Sequence, residues 1–129
     1  MIHITSFRGA MMKKVPPEKQ FSIANTAPKW WKGETIKELT PGNIVWDYKQ
    51  KKIDEKEYYA LYLRELEKLE NKDYNWENLR GKYLLCWEPA GEFCHRRILA
   101  RFLCILNYHV VLDGTAFTYP EDIHIPGVD

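Results

Sequence analysis

The sequence predicts an α/β fold, a three-layer, mostly parallel, Rossmann-like sheet flanked by helices, and three observations lead there. The run Tyr83-Leu84-Leu85 is apolar without alternation, as in a strand covered on both faces. Pro and Gly punctuate 87-WEPAGE-92, so that strand stops there. From Ile98 onward, Ile98, Leu99, Phe102, Leu103 and Leu106 recur at helical spacing. A strand–loop–helix of this kind puts its loop at the carboxyl end of a sheet, where open α/β folds bind ligands. With 129 residues the chain can bury one core, so 1–129 is a single domain.

The elements follow in order. Residues 2-IHITSF-7 alternate and are β-branched, a first strand, with Arg8 placed in the loop at its carboxyl end. Residues 10–19, holding Pro16 and Pro17, show no periodicity and read as a loop. Gln20 to Asn25 form a second strand, closed by 26-TAPKWWKG-33. Two adjacent tryptophans cannot both face one core, so Trp30 or Trp31 is exposed or lines a cleft. Thr35 to Leu39 suggest a short helix ended by Thr40-Pro41-Gly42, and 43-NIVWDYK-49 an edge strand or extended covering segment. Asp54-x-x-Glu57 is a capping box that starts the longest helix, through about Asn71, with the stripe Tyr58, Leu61, Tyr62, Leu66 and Leu69. Glu65 projects near the middle of that stripe. Asp73 to Leu79 reads as a short helix packing Trp76 and Leu79. A last strand lies in 107-NYHVVLDG-114, and the tail 115–129 is largely extended, with 123-IHI-125 pairing at an edge.

Composition narrows the function classes. A net charge of +1 gives no global basic field of the kind nucleic-acid binders show. Five Trp and eight Tyr supply either core area or a stacking surface. Three irregularly spaced cysteines do not make a disulfide framework. The N-terminus lacks a signal-peptide pattern, and Arg96, Arg97 and Arg101 interrupt the best apolar run. The expectation is a reduced, cytoplasmic protein without a membrane segment.

The chemistry concentrates in Cys86-x-Glu88-x5-Cys94-His95-Arg96. At helical pitch His95 shares the face of Leu99, Phe102 and Leu106 and points inward. Arg96 lies at the edge of that face, while Arg97 and Arg101 point away as solvated charges. Cys94 falls at the N-cap or first turn, where unpaired N–H groups and the helix dipole favour an anion and a lowered thiol pKa.

Strand-Leu-Leu-Cys-x-Glu, a Pro/Gly loop and then Cys-His-Arg-Arg on an apolar helix resemble the uncharacterised domain-of-unknown-function family 488. The opening 2-IHITSF-7 and the segment 21-FSIANTAPKWW-31 resemble it as well. The resemblance implies a compact α/β domain of bacterial or bacteriophage type and brings no reaction with it.

Four readings compete for the motif. An anion pocket would use the helix N-terminus, Arg96 and Arg8. An enzyme would use Cys94 as nucleophile with Glu88 or His95 as acid/base, although the base usually comes from elsewhere in the fold. A metal site would draw on Cys86, Glu88, Cys94 and His95, at a spacing that matches no standard zinc pattern. A structural reading pairs Glu88 with Arg96. The combined expectation is a rim pocket for a nucleotide or related anionic ligand, with Glu88, Cys94 and His95 as catalytic candidates and Arg8, Arg96, Trp30 and Trp31 as ligand-binding ones. No cofactor or metal is assigned. A non-catalytic module sequestering a small nucleotide and a DNA- or RNA-contacting accessory protein are the alternatives.

Overall fold

Chain order in the computed structural model, which describes residues 1–87 and 93–129, is β1 (Ile2–Ser6), α1 (Phe7–Met12), β2 (Gln20–Ser22), β3 (Glu34–Thr35), α2 (Asn43–Lys49), α3 (Glu55–Asn71), β4 (Tyr83–Cys86), α4 (His95–Ile105), β5 (Val110–Leu112) and β6 (Thr115–Phe117). Among the described residues the strands form one six-stranded sheet, ordered β3-β2-β4-β1-β5-β6. Every pairing is parallel except the β5–β6 hairpin. Helices flank the sheet, so the three-layer α/β expectation holds. No helix among the described residues is long and apolar enough to cross a membrane.

Strand alternation builds the core. Ile2 and Ile4 register with Val110 and Leu112, and Ile4 with Leu84, so one face is a continuous aliphatic surface. All five are buried; each aliphatic side chain taken from water contributes about 1.5–3 kcal/mol. Helix α4 packs on β1, β4 and β5, and α3 packs on α4. Between them lie Tyr62, Leu66, Leu99 and Leu103, all fully or almost fully buried. The Asp54–Glu57 capping box is present, with Glu57 N–H donating to Asp54 Oδ1 at 2.9 Å. Leu61 and Leu69 are half-buried, and Glu65 is exposed rather than central, 3.3 Å from Lys68 one turn on.

Several expectations are corrected. Residues 7–12 are helical where 10–19 was expected to be loop, so Arg8 sits in the first turn of α1. Ser6 caps this helix by accepting from Gly9 N–H at 2.9 Å. A Cβ on Gly9 would come within 2.6 Å of Thr5 Oγ1, so glycine lets the helix start directly off the strand. Six residues are too few to register as a period. Residues 43–49 are helix, not an edge strand: Ile44, Val45 and Tyr48 pack against the core, and tertiary contacts override the β-rich composition. Strand β2 ends at Ser22, whose hydroxyl accepts from Ala24 N–H and turns the chain. Glu34–Thr35 add an edge strand beside β2, and the expected helices over 35–39 and 73–79 are single 3-10 turns, Lys37–Leu39 and Trp76–Leu79.

The C-terminal region differs most. Asp113 and Gly114 take positive φ of 50° and 87°, the type I′ pattern that folds β6 back on β5. Residues 123–125 pair with no strand; Ile123 and Ile125 are instead fully buried. Arg97 and Arg101 are not solvated charges, because they hold this tail. Arg97 Nε donates to His124 O at 2.7 Å, and Arg101 donates to Ile123 O at 2.6 Å and pairs with Asp129.

Candidate functional site

Parallel pairing brings Ser6, Ser22, Cys86 and Leu112 to one carboxyl edge, and the residues that follow them assemble there. The Cys94-His95-Arg96 turn descends onto this edge. Cys94 is the N-cap of α4, but its side chain makes no capping hydrogen bond. Its Sγ lies 2.7 Å from Cys86 Sγ and 3.5 Å from His95 Nδ1. His95 points inward, 4 % exposed, with Nε2 2.6 Å from Ile23 O. A carbonyl only accepts, so Nε2 carries a proton; in the neutral form of the ring, this tautomer turns the Nδ1 lone pair toward Cys94.

Arg96 is not at the edge of the helix face; it is 0 % exposed. Its Nη1 donates to Cys86 Sγ at 2.9 Å, and its Nε and Nη2 each lie 3.3 Å from the Asp113 carboxylate. Burial lowers the guanidinium's pKa, but Cys86, Cys94 and Asp113 outweigh it and hold the value above the ordinary range. Arg96 is therefore a buried cation engaged by protein groups. The Sγ atoms of Cys86 and Cys94 and a ring nitrogen of His95 all lie within 4.8 Å of one another, the metal-competent grouping found among the described residues. Glu88, the other expected acid/base, lies outside the described residues.

A second arrangement occupies the surface. Phe7, Arg8, Met11, Pro28, Trp30 and Trp87 line a cleft of about 420 Å³. Trp30 is 56 % and Trp87 51 % exposed, and Arg8 is exposed beside them. Trp87 Nε1 donates to Thr26 O at 2.6 Å, which fixes its indole. Trp31 does not line this cleft. It is half-buried, donates to Gln20 Oε1 at 2.7 Å and meets Phe7 edge-on at 5.2 Å. The residues expected in one rim pocket thus divide: Arg8 and Trp30 line the cleft, Cys94, His95 and Arg96 lie inside the protein, Trp31 packs elsewhere, and Glu88 is outside the described residues.

Between the two is a small cavity of about 60 Å³, lined by Asn25, Thr26, Trp46, Trp87 and His95 among others. A larger depression of about 590 Å³ beside α3 mixes Lys49, Lys51 and Lys52 with Asp54, Glu55 and Glu57, and so presents no convergent charge. Sequence reading missed Asp113, Trp87 and the Ile23 carbonyl. Trp87 had a usable signal: it directly follows inward Cys86, so it must face the other way.

Comparison with family models, curated proteins and solved structures finds no match.

Proposed function

We propose that this protein binds a small planar anion, a nucleotide or nucleobase phosphate, in the cleft formed by Arg8, Trp30 and Trp87. The observation that carries this reading is two half-exposed indoles and an exposed guanidinium converging on one cleft. Its volume of about 420 Å³ lies within the range of small-molecule sites, roughly 300–1,000 Å³. Indole faces stack on any base, at about 1–3 kcal/mol per base. A guanidinium matches phosphate oxygens in charge and shape. The buried Arg96 is already engaged by Asp113 and Cys86, which leaves Arg8 as the anion-recognising group of this reading.

Calorimetric titration with a nucleoside monophosphate, the parent nucleoside and inorganic phosphate tests it. The monophosphate is expected to bind most tightly, the nucleoside more weakly and phosphate alone least, with quenching of tryptophan fluorescence. Equal or absent binding of all three overturns the reading.

A further inference from the structure

We infer that Cys86 and Cys94 form a redox pair that closes to a disulfide on reaction with a small peroxide, with His95 as the proton acceptor. The inference stands on other residues than the aromatic cleft and survives or fails independently of it. The two sulfurs are 2.7 Å apart, much closer than two sulfurs in ordinary contact and short of the ~2.05 Å of a disulfide bond. Cys86 ends β4 and Cys94 caps α4, so two rigid elements hold the pair. A tetrahedral zinc would keep two thiolates about 3.8 Å apart. It would also share the site with the Arg96 guanidinium, which touches Cys86 Sγ at 2.9 Å. A cation in that place suits sulfur chemistry better than a second, metallic cation.

Burial selects the oxidant. Cys86 is 0 % and Cys94 3 % exposed, so a protein thiol or a bulky disulfide cannot reach them. The small cavity that ends at His95, about 60 Å³, accommodates a molecule the size of water or hydrogen peroxide. Thr26 lies on its wall, as does Asn25, whose amide is held at both ends by the Gly42 backbone.

The step balances as follows. Cys94 passes its thiol proton to His95 Nδ1, and Cys94 Sγ attacks one peroxide oxygen. The O–O bond breaks, leaving Cys94 as a sulfenic acid, and the departing hydroxide takes the proton from His95 to become water. Cys86 Sγ then attacks Cys94 Sγ; the S–S bond forms, the S–O bond breaks, and the leaving hydroxide takes the Cys86 proton as a second water. Two thiols lose two electrons and two protons, and one peroxide becomes two waters. Arg96 acts as a positioning residue, fixing Cys86 Sγ against Cys94.

Both cysteines fall in one tryptic peptide, 83–96, and Cys104 in another, 102–129. Folded protein is treated with dilute hydrogen peroxide, freed of peroxide, unfolded in urea with the alkylating reagent present because all three cysteines are buried in the fold, digested and weighed. Peptide 83–96 is expected to lose two hydrogens and escape alkylation, to recover both thiols with dithiothreitol, and to leave Cys104 alkylated. His95→Gln is expected to slow closure roughly 10-fold or more without changing the circular dichroism spectrum. Peroxide that leaves both thiols alkylatable, or drives each separately to a sulfinic acid, overturns the inference. So does purified protein that carries stoichiometric zinc and closes the pair only after chelation, which makes the cluster a metal centre. An unchanged rate in a folded His95→Gln variant removes His95 from the step. The wild-type peptide decides the pair even where a variant does not fold.

Discussion

Cys86 and Trp87 are neighbours at the end of one strand, and they belong to opposite worlds. Cys86 is sealed against α4 within a cluster of sulfur, imidazole and guanidinium, while Trp87 stands half in water above an apolar cleft. Cys86 is the last residue of β4 and Trp87 the first beyond it, and neighbours along an extended chain point to opposite sides. The inner group is dense in reactive side chains, and among the described residues its members contact one another, Asp113 and Ile23. The outer group is chemically plain, an arginine and two indoles, but it is what a solute of any size meets. Reactive residues crowded together do not by themselves make a docking site, and the ligand reading moves to where solvent reaches.

The largest effect expected from this contrast is on the inner side. Arg96→Met leaves the Asp113 carboxylate, with 12 % of its side chain exposed, without its buried cation. Removing one member of such a pair costs about 3–5 kcal/mol. Urea unfolding is expected to show a loss of that order, while a nucleoside monophosphate still binds whatever folded protein remains. A fully stable Arg96→Met variant with no nucleotide binding would reverse the roles of the two groups.

The outer side gives the converse. Trp30→Ala is expected to weaken binding of a nucleoside monophosphate by about 1–3 kcal/mol. Stability is expected to stay within about 0.5 kcal/mol, because an exposed residue away from the core carries little of it. Titration calorimetry beside a urea curve measures both. A stability loss comparable to that of Arg96→Met would make the Trp30 indole a cover for the end of the sheet rather than a stacking face.

What was legible in the sequence follows the range of the forces involved. The strands at 2–6 and 83–86, the capped helix α3 and the inward turn of His95 all rest on periodicity or on contacts within one turn. Helix α2 was misread because its seven residues are held by Tyr58 and the core, not by their own propensity: Tyr48 and Tyr58 meet edge-on at 5.5 Å. Arg96 was placed at an edge because its partner, Asp113, comes from a hairpin turn 17 residues on, beyond any local period. The hairpin itself was written in Asp113-Gly114, whose dipeptide is a strong local turn signal. Arg8 and Trp30 were named, but only the fold puts them beside Trp87.

A smaller effect probes the inner cluster through pH. Tyr62 is buried, donates to Leu39 O at 2.6 Å and meets the His95 ring edge-on at 5.3 Å. Burial, with Cys94, Cys86 and Tyr74 adding to it, pushes its phenol well above the usual value. The unfolded chain therefore ionises first as pH rises through about 10, binds fewer protons than the folded chain, and stability falls. The contribution is complete below that pH and is lost above it. Tyr62→Phe is expected to cost about 1 kcal/mol near neutrality and to flatten the alkaline fall in urea midpoint. An alkaline slope identical to wild type would assign the loss to other groups.

The smallest expected effect tests whether the outer cleft reads charge at all. Arg8 is exposed, so a phosphate there stays in water-like surroundings, and the pairing is worth about 0.2–1 kcal/mol. Salt screens it further, over about 10 Å at 0.1 M. Arg8→Ala is accordingly expected to raise the Kd of a nucleoside monophosphate a few-fold and leave that of the parent nucleoside unchanged. In wild type the gap between monophosphate and nucleoside is expected to narrow as salt rises, and in the variant to be small at every salt concentration. The two ligands share a base, so stacking on Trp30 cancels between them and the difference isolates the guanidinium. If Arg8→Ala weakens both ligands equally, the arginine acts through its apolar stem, which lines the same cleft as Met11 and the indoles. The cleft would then recognise a planar ring without regard to its charge.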